Sequence, residues 1–261
     1  MNRLRAHIEG MGYWSPGLPS WADARAFIAS GEANTHAPNK PTPRLLAANE
    51  RRRAPESVAA ALDVALAACE MAGRDPSGLS SVFTSTHGDL GITDYMCETL
   101  AGPCPCSISP TKFHNSVHNA AAGYWTIGAG CMKPATAISA YQASFAQGLL
   151  EALVQLAAGE DAVLLVACDA RAQGPLAEVS ASTGLLAGAL VLAQAGGGRR
   201  IEAWLEDGGA EADTGALGVR EADNAMRPML PLFAALASAE AATIKLDAGA
   251  GRVLCIRVEP A

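Results

Sequence analysis

Histidines and cysteines are the side chains of this chain best suited to proton transfer, nucleophilic attack or metal binding, and their spacing limits which of these is open. His114 and His118 stand in H-x3-H spacing inside SPTKFHNSVHNAAAGYW, downstream of Cys104 and Cys106. Read as zinc ligands, that set fails on pattern: C-x-C followed eight residues later by His is not a usual structural-zinc spacing, and Pro103 and Pro105 mark a loop. No metal is expected there. His87-Gly88-Asp89 offers an imidazole and a carboxylate, and reads equally as an acid/base pair or as a loop after a strand. Cys168 ends an apolar run with no cation beside it to lower its pKa, so a packing thiol is expected.

The segment ATAISAYQASFAQGLLEAL reads as a strand, a sharp turn and a helix. Such a turn sits at a helix N-terminus, where free N–H groups and the helix dipole stabilise negative charge, and nucleophiles are commonly mounted there. The turn residues are Tyr141, Gln142, Ala143 and Ser144, and none carries a thiol. Ser144 reads as a helix-start hydroxyl more readily than as a nucleophile. The elbow is present without its nucleophile.

Around it, strand and helix signals alternate. Residues 2 to 14 read as an opening strand, Trp21 to Ser30 as a helix within a Pro-rich excursion, and residues 55 to 72 as a longer helix entered at Pro55. Ser80 to Ser85 reads as a buried strand, Asp94 to Leu100 as a helix, Ala120 to Ala129 as a small-residue helix and Ala135 to Tyr141 as a strand. Phe145 to Ala158 is an amphipathic helix stopped by Gly159, and Ala162 to Cys168 and Gly184 to Gln194 are apolar strands. After a strand at Arg200 to Glu206 and a short helix at Pro231 to Ala239, Ile244 to Leu246 and Arg252 to Val258 form a hairpin closed by Asp247 to Gly251. Alternation of this kind predicts an α/β fold with a mostly parallel, mixed sheet covered by helices, in a single domain over residues 1–261.

Composition narrows the functions. Half of the 261 residues are hydrophobic, and 19 Lys and Arg against 26 Asp and Glu leave a net charge of −7, so no basic surface exists for phosphate contacts and nucleic acid is excluded as a partner. No apolar stretch approaches the roughly 20 residues that span a bilayer, and MNRLRAHIEGMGYW lacks an apolar signal core, so no membrane association and a cytoplasmic location are expected. Seven cysteines without regular spacing argue against a disulfide framework.

Ser109-Pro110, Phe113, Tyr141 to Ser144, Gly148 to Ala152 and Asp169 follow one another in the order and spacing of the N-terminal half of a β-ketoacyl synthase, which the segment 109–169 resembles most specifically. The resemblance covers residues 1 to about 195 and implies a thiolase-like half with a short C-terminal β-hairpin cap. Gln142 falls where that family carries its nucleophilic Cys, as in the chain length factor, the silent partner of polyketide ketosynthases. FHNSVHNAAAGYW resembles short ketosynthase-like proteins of aryl-polyene type fatty acid and polyketide systems. The family's condensing chemistry needs two histidines from its C-terminal half, whereas here all five histidines precede Gln142.

The resemblance therefore implies a subunit with no catalytic residue and no cofactor. It would pair with a full-length β-ketoacyl synthase, meet acyl carrier protein through that complex, shape the acyl tunnel, and self-associate as a homodimer when alone. Gln142, Ser144, Phe145, Phe113, His114, His118, Tyr124 and Trp125 are the residues expected at the tunnel or interface, with Phe145 aimed at the partner's tunnel and Phe113, Tyr124 and Trp125 as buried anchors. The other class left open is a stand-alone acyl-thioester hydrolase or acyltransferase using Ser144 or a Cys.

Overall fold

A computed structural model describes residues 3–210 and 213–260. Strand β1 (Leu4–Trp14) leads to α1 (Trp21–Ser30), which starts where the Ser20 hydroxyl accepts the Asp23 N–H and stops at Gly31, left-handed at φ 76°. A short α2 (Ala48–Arg53) precedes α3 (Glu56–Ala72), which Pro55 opens and Gly73 closes. Then follow β2 (Ser80–Thr84), α4 (Leu90–Ala101), α5 (Pro110–His114), α6 (Ala120–Gly128), β3 (Ala135–Ile138), α7 (Ser144–Ala157) and β4 (Ala162–Asp169). The chain continues through β5 (Leu186–Ala193), β6 (Arg199–Asp207), α8 (Ala216–Arg220), α9 (Leu230–Ala237), β7 (Ala242–Gly249) and β8 (Arg252–Val258).

Among the described residues the strands form one eight-stranded sheet in the order β3-β2-β4-β5-β1-β6-β8-β7. The α/β class, the mixed sheet and the terminal β7-β8 hairpin agree with the sequence reading. The expected parallel majority does not: parallel pairing is confined to β3-β2-β4, and the other five pairings are antiparallel. Burial explains the difference. Every residue of β4 and of β5 is buried, so both read as unbroken apolar runs, the usual mark of parallel strands, although they run antiparallel to each other.

Alternate residues of β4 feed two cores. Val163, Leu165 and Ala167 pack with α7, α9 and α1, while Leu164, Val166 and Cys168 pack with α3 and α6. Gly10 and Gly12 let α3 lie directly on β1, because a Cβ at Gly12 would stand 2.0 Å from the Val64 carbonyl oxygen. The C-terminal hairpin sends Leu246, Ala248, Leu254 and Ile256 into the α7 core, and Gln147 Nε2 on α7 donates to the Ala248 carbonyl at 2.7 Å. Both ends of the sheet thus reach α7, whose N-terminus carries the elbow. β3 and β7 are the sheet edges, and β3 is short and partly exposed. No helix of the described residues is long and apolar enough to cross a membrane.

Candidate functional site

The elbow forms where β3 ends at Ile138, three residues earlier than its apolar pattern suggests, and the chain makes one 3-10 turn over Tyr141–Ala143 before α7. Tyr141 holds φ 52°, a left-handed value that costs a residue with a Cβ about 1–2 kcal/mol. Strain of this sort persists only where surrounding contacts over-determine it. Here Ser144 supplies them: its Oγ donates to the Tyr141 carbonyl at 2.7 Å and accepts the Ala140 N–H at 2.9 Å. Ser144 is 1% exposed, so its hydroxyl is a buried turn lock.

Gln142 is exposed and lies with Tyr141 on the wall of a cleft of about 560 Å³. Asn224, Arg227, Lys245, Asp247, Thr86 and Ser180 also line the cleft. Phe145 corrects the expectation that it reaches a partner's tunnel. It is 2% exposed and packs in the core with Leu149 and Leu153, because the helix turns it away from the cleft.

The ends of β2 and β4 hold a buried polar cluster next to the cleft residue Thr86. Asp169, fully buried at the end of β4, accepts the Ser85 hydroxyl at 2.6 Å and the Thr86 N–H on both oxygens at 3.0 and 2.9 Å. Burial pushes its carboxyl above the ordinary carboxylate range, and these hydrogen bonds pull the other way. The same contacts fix the next residue: His87 lies with Nδ1 3.8 Å from Asp169 Oδ1 and Nε2 in hydrogen-bond contact with Ser180 Oγ. The carboxylate beside His87 is therefore Asp169 and not Asp89, whose side chain accepts the Ile92 N–H and caps α4. Sequence reading missed Ser180 and Asn224, since neither sits in a recognisable pattern.

The aromatic and histidine residues of the 113–125 segment separate. Phe113 is 62% exposed, and His114, also exposed, stacks edge-on against Tyr124 at 5.9 Å. Since α5 ends at His114, the two histidines share no helical face, and His118 Nε2 instead contacts the Ser85 carbonyl at 3.0 Å. Tyr124 and Trp125 are corrected from interface anchors to core residues. Trp125 has no exposed surface and packs against Phe83 in the α3 core, because the Ala-rich face of α3 leaves room for the indole. Cys168 is a packing thiol whose Sγ donates to the Ser57 carbonyl at 3.2 Å. Among the described residues no group of three or more His, Cys, Asp or Glu side chains is gathered to hold a metal ion.

Comparison with known proteins bears on the same segments. The family described as Beta-ketoacyl synthase, N-terminal domain, matches residues 21–258, well beyond residue 195 where the sequence resemblance fades. The structure of a ketosynthase (ApeO) in complex with its chain length factor (ApeC) from Xenorhabdus doucetiae is similar, with a TM-score of 0.74 and 25% identity over 97% of this chain and 99% of that one. The ishigamide ketosynthase/chain length factor has a TM-score of 0.75 at 15% identity, covering 98% and 99% of the two chains. A structure described as a type II polyketide synthase acyl carrier protein in complex with its ketosynthase bound to the hexaketide (AntDE:AntF) has a TM-score of 0.75 at 12% identity, over the full length of both. Both of these share the fold. Among curated proteins, no sequence matches the chain significantly.

Proposed function

Because this chain belongs to the β-ketoacyl synthase N-terminal domain family, we propose that it is a chain-length-factor-like subunit that pairs with a full-length β-ketoacyl synthase and shapes the space in which an acyl chain grows. The observation that carries the reading is Gln142, exposed at the elbow and lining the cleft, the residue that the sequence resemblance sets in the place of the family's nucleophilic thiol. An amide there can donate and accept hydrogen bonds but cannot form a thioester. No histidine follows it in the sequence, so the decarboxylating pair of a condensing enzyme is missing from this chain.

The neighbour from Xenorhabdus doucetiae is a ketosynthase with its chain length factor, which supports the same pairing here. The proposal extends this to fatty acid, aryl polyene or polyketide synthesis, with acyl carrier protein met through the complex. The open edge of β3 supplies the means, since an unpaired edge strand is a template for a second chain. Self-association of the same edge gives the homodimer proposed for the chain alone. The hydrolase reading through Ser144 loses its basis, because that hydroxyl is buried and hydrogen-bonded on both sides.

The test is co-expression with the ketosynthase whose gene lies nearest its own, followed by size-exclusion chromatography. Co-elution as a stoichiometric complex is expected, and separate elution under all salt conditions overturns the reading.

A further inference from the structure

The elbow carries no thiol, yet Ser180, which lines the same cleft, touches the imidazole of His87, and Asp169 lies on the far side of that ring. We propose that Ser180, His87 and Asp169 form a serine-based acyl-transfer site that hydrolyses acyl thioesters bound in the cleft beside Gln142. The geometry carries this. Ser180 Oγ is in hydrogen-bond contact with His87 Nε2, and His87 Nδ1 faces Asp169 Oδ1 at 3.8 Å. In the tautomer with the proton on Nδ1, the side nearer the carboxylate, the Nε2 lone pair is left for the Ser180 proton, which is the arrangement a general base requires. At 3.8 Å the pair stands outside hydrogen-bond reach, and the proposal requires it to close when substrate binds, as catalytic contacts in ligand-free sites commonly do.

Each group is held for its part. Asp169 is fully buried and fixed by the Ser85 hydroxyl and the Thr86 N–H, so it orients the imidazole without reaching solvent. The His87 side chain is 8% exposed, which leaves its ring little freedom to turn. Ser180 lies on the cleft wall, where its backbone N–H bonds the Leu176 carbonyl at 2.9 Å. Among the described residues, three that line the cleft carry a buried side-chain atom without a partner, Thr86 Oγ1, Asp213 Oδ2 and Arg227 Nε, and the first is a hydroxyl. An unpaired hydroxyl lining the same cleft as Ser180 is suited to donate to a carbonyl oxygen as negative charge develops there.

In the reaction, Ser180 Oγ attacks the thioester carbonyl carbon while His87 Nε2 takes its proton. The C–S bond breaks, and the departing thiolate receives that proton as a free thiol. A water molecule then attacks the Ser180 ester with His87 again taking a proton, the C–O bond to Ser180 breaks, and the carboxylic acid leaves with Ser180 restored. No oxidant or second substrate is needed. The serine relay comes from geometry alone, the thioester class comes from family membership, and neither depends on the pairing proposed above.

The test uses the purified full chain with octanoyl-N-acetylcysteamine, following octanoate by mass spectrometry so that acyl exchange onto exposed thiols does not register. Octanoate release above the buffer rate is expected, falling about 100-fold or more in Ser180→Ala and in His87→Gln. A fluorophosphonate probe should label Ser180 in the unaltered protein, a readout that survives if either variant fails to fold. Release no faster than buffer, labelling absent from Ser180, or a folded Ser180→Ala variant retaining more than a tenth of the rate overturns the assignment. Failure here with co-elution intact removes the hydrolytic site and leaves the subunit reading standing.

Discussion

Ser144 and Tyr141 lock the elbow together: the serine hydroxyl donates to the tyrosine carbonyl at 2.7 Å and receives the Ala140 N–H at 2.9 Å, across a residue held at φ 52°. The serine is the first residue of α7 and its hydroxyl bonds only the preceding turn, so its loss frees that turn. Ser144→Ala should cost about 1–2 kcal/mol, within the range for leaving buried backbone polar groups unpaired. Urea denaturation would show it as a lower midpoint at unchanged slope.

Most of the elements were legible because their signals are local. The Ser20 cap and Gly31 stop give α1 its limits, and Gly73 ends α3 where the periodicity ends. Strand direction was not legible, since β4 and β5 are apolar on both faces whichever way they run. Nor was the fate of the aromatics: Trp125 and Phe113 lie in one stretch of sequence, and only the packing of α6 on α3 decides that the first is buried and the second exposed. The elbow could be read from its strand-turn-helix pattern. Ser180 could not, because it lies in irregular chain and meets His87 across 93 residues.

Two glycines should respond to alanine in opposite directions. A Cβ on Gly148 of α7 would stand 2.0 Å from Thr84 Cγ2 and 3.2 Å from Leu165 Cδ1, so Gly148→Ala forces the helix off the sheet at a cost of about 1–3 kcal/mol. Gly123 of α6 faces open space, and Gly123→Ala should stabilise by about 0.5–1 kcal/mol through helix propensity. Thermal melts of both variants check the pair, and equal shifts would contradict the packing of α7.

Thiol reactivity should divide the cysteines by burial. Cys97, Cys104 and Cys106 are exposed, while Cys69, Cys131, Cys168 and Cys255 are buried. Burial, with Asp75 and Glu70 nearby, pushes the Cys69 thiol up to about 12, and burial beside Asp169 raises that of Cys168 well above its usual range. Iodoacetamide at pH 8 should therefore modify three sites in the native protein and seven after unfolding, counted by intact mass. Because the folded thiol keeps its proton longer than the unfolded one, its contribution to stability is complete below about pH 9 and declines as pH rises towards about 12. Thermal stability should fall across that window.

Restoring a thiol at the elbow should restore only half of a condensing cycle. Gln142→Cys places a nucleophile at an exposed turn ahead of the 14-residue helix α7, whose N-terminus favours the thiolate. No histidine follows in the sequence to decarboxylate a malonyl unit or hold the resulting oxyanion. Peptide mapping after incubation with an acyl thioester should find the acyl group on the introduced thiol. Adding malonyl-carrier protein should yield no carbon–carbon bond, and a condensed product would show that the missing base lies elsewhere in the chain.

The last prediction separates surface from core in the segment expected to face a partner. Ile127, near the end of α6, is 82% exposed, and Met132, in the stretch leading into the edge strand β3, is 96% exposed. Large apolar side chains this exposed beside an open sheet edge have nothing among the described residues to cover them, and burial against a second chain would remove their surface from water. Ile127→Glu with Met132→Glu should leave the melting temperature within a few degrees of the unaltered protein while abolishing co-elution with the ketosynthase. Trp125→Ala should do the reverse in order of cause. It empties a fully buried indole site at a cost of about 3–5 kcal/mol, so any loss of pairing would accompany unfolding. Circular dichroism melts run beside the chromatography distinguish the two, and retained co-elution in the double glutamate variant would move the proposed interface away from β3.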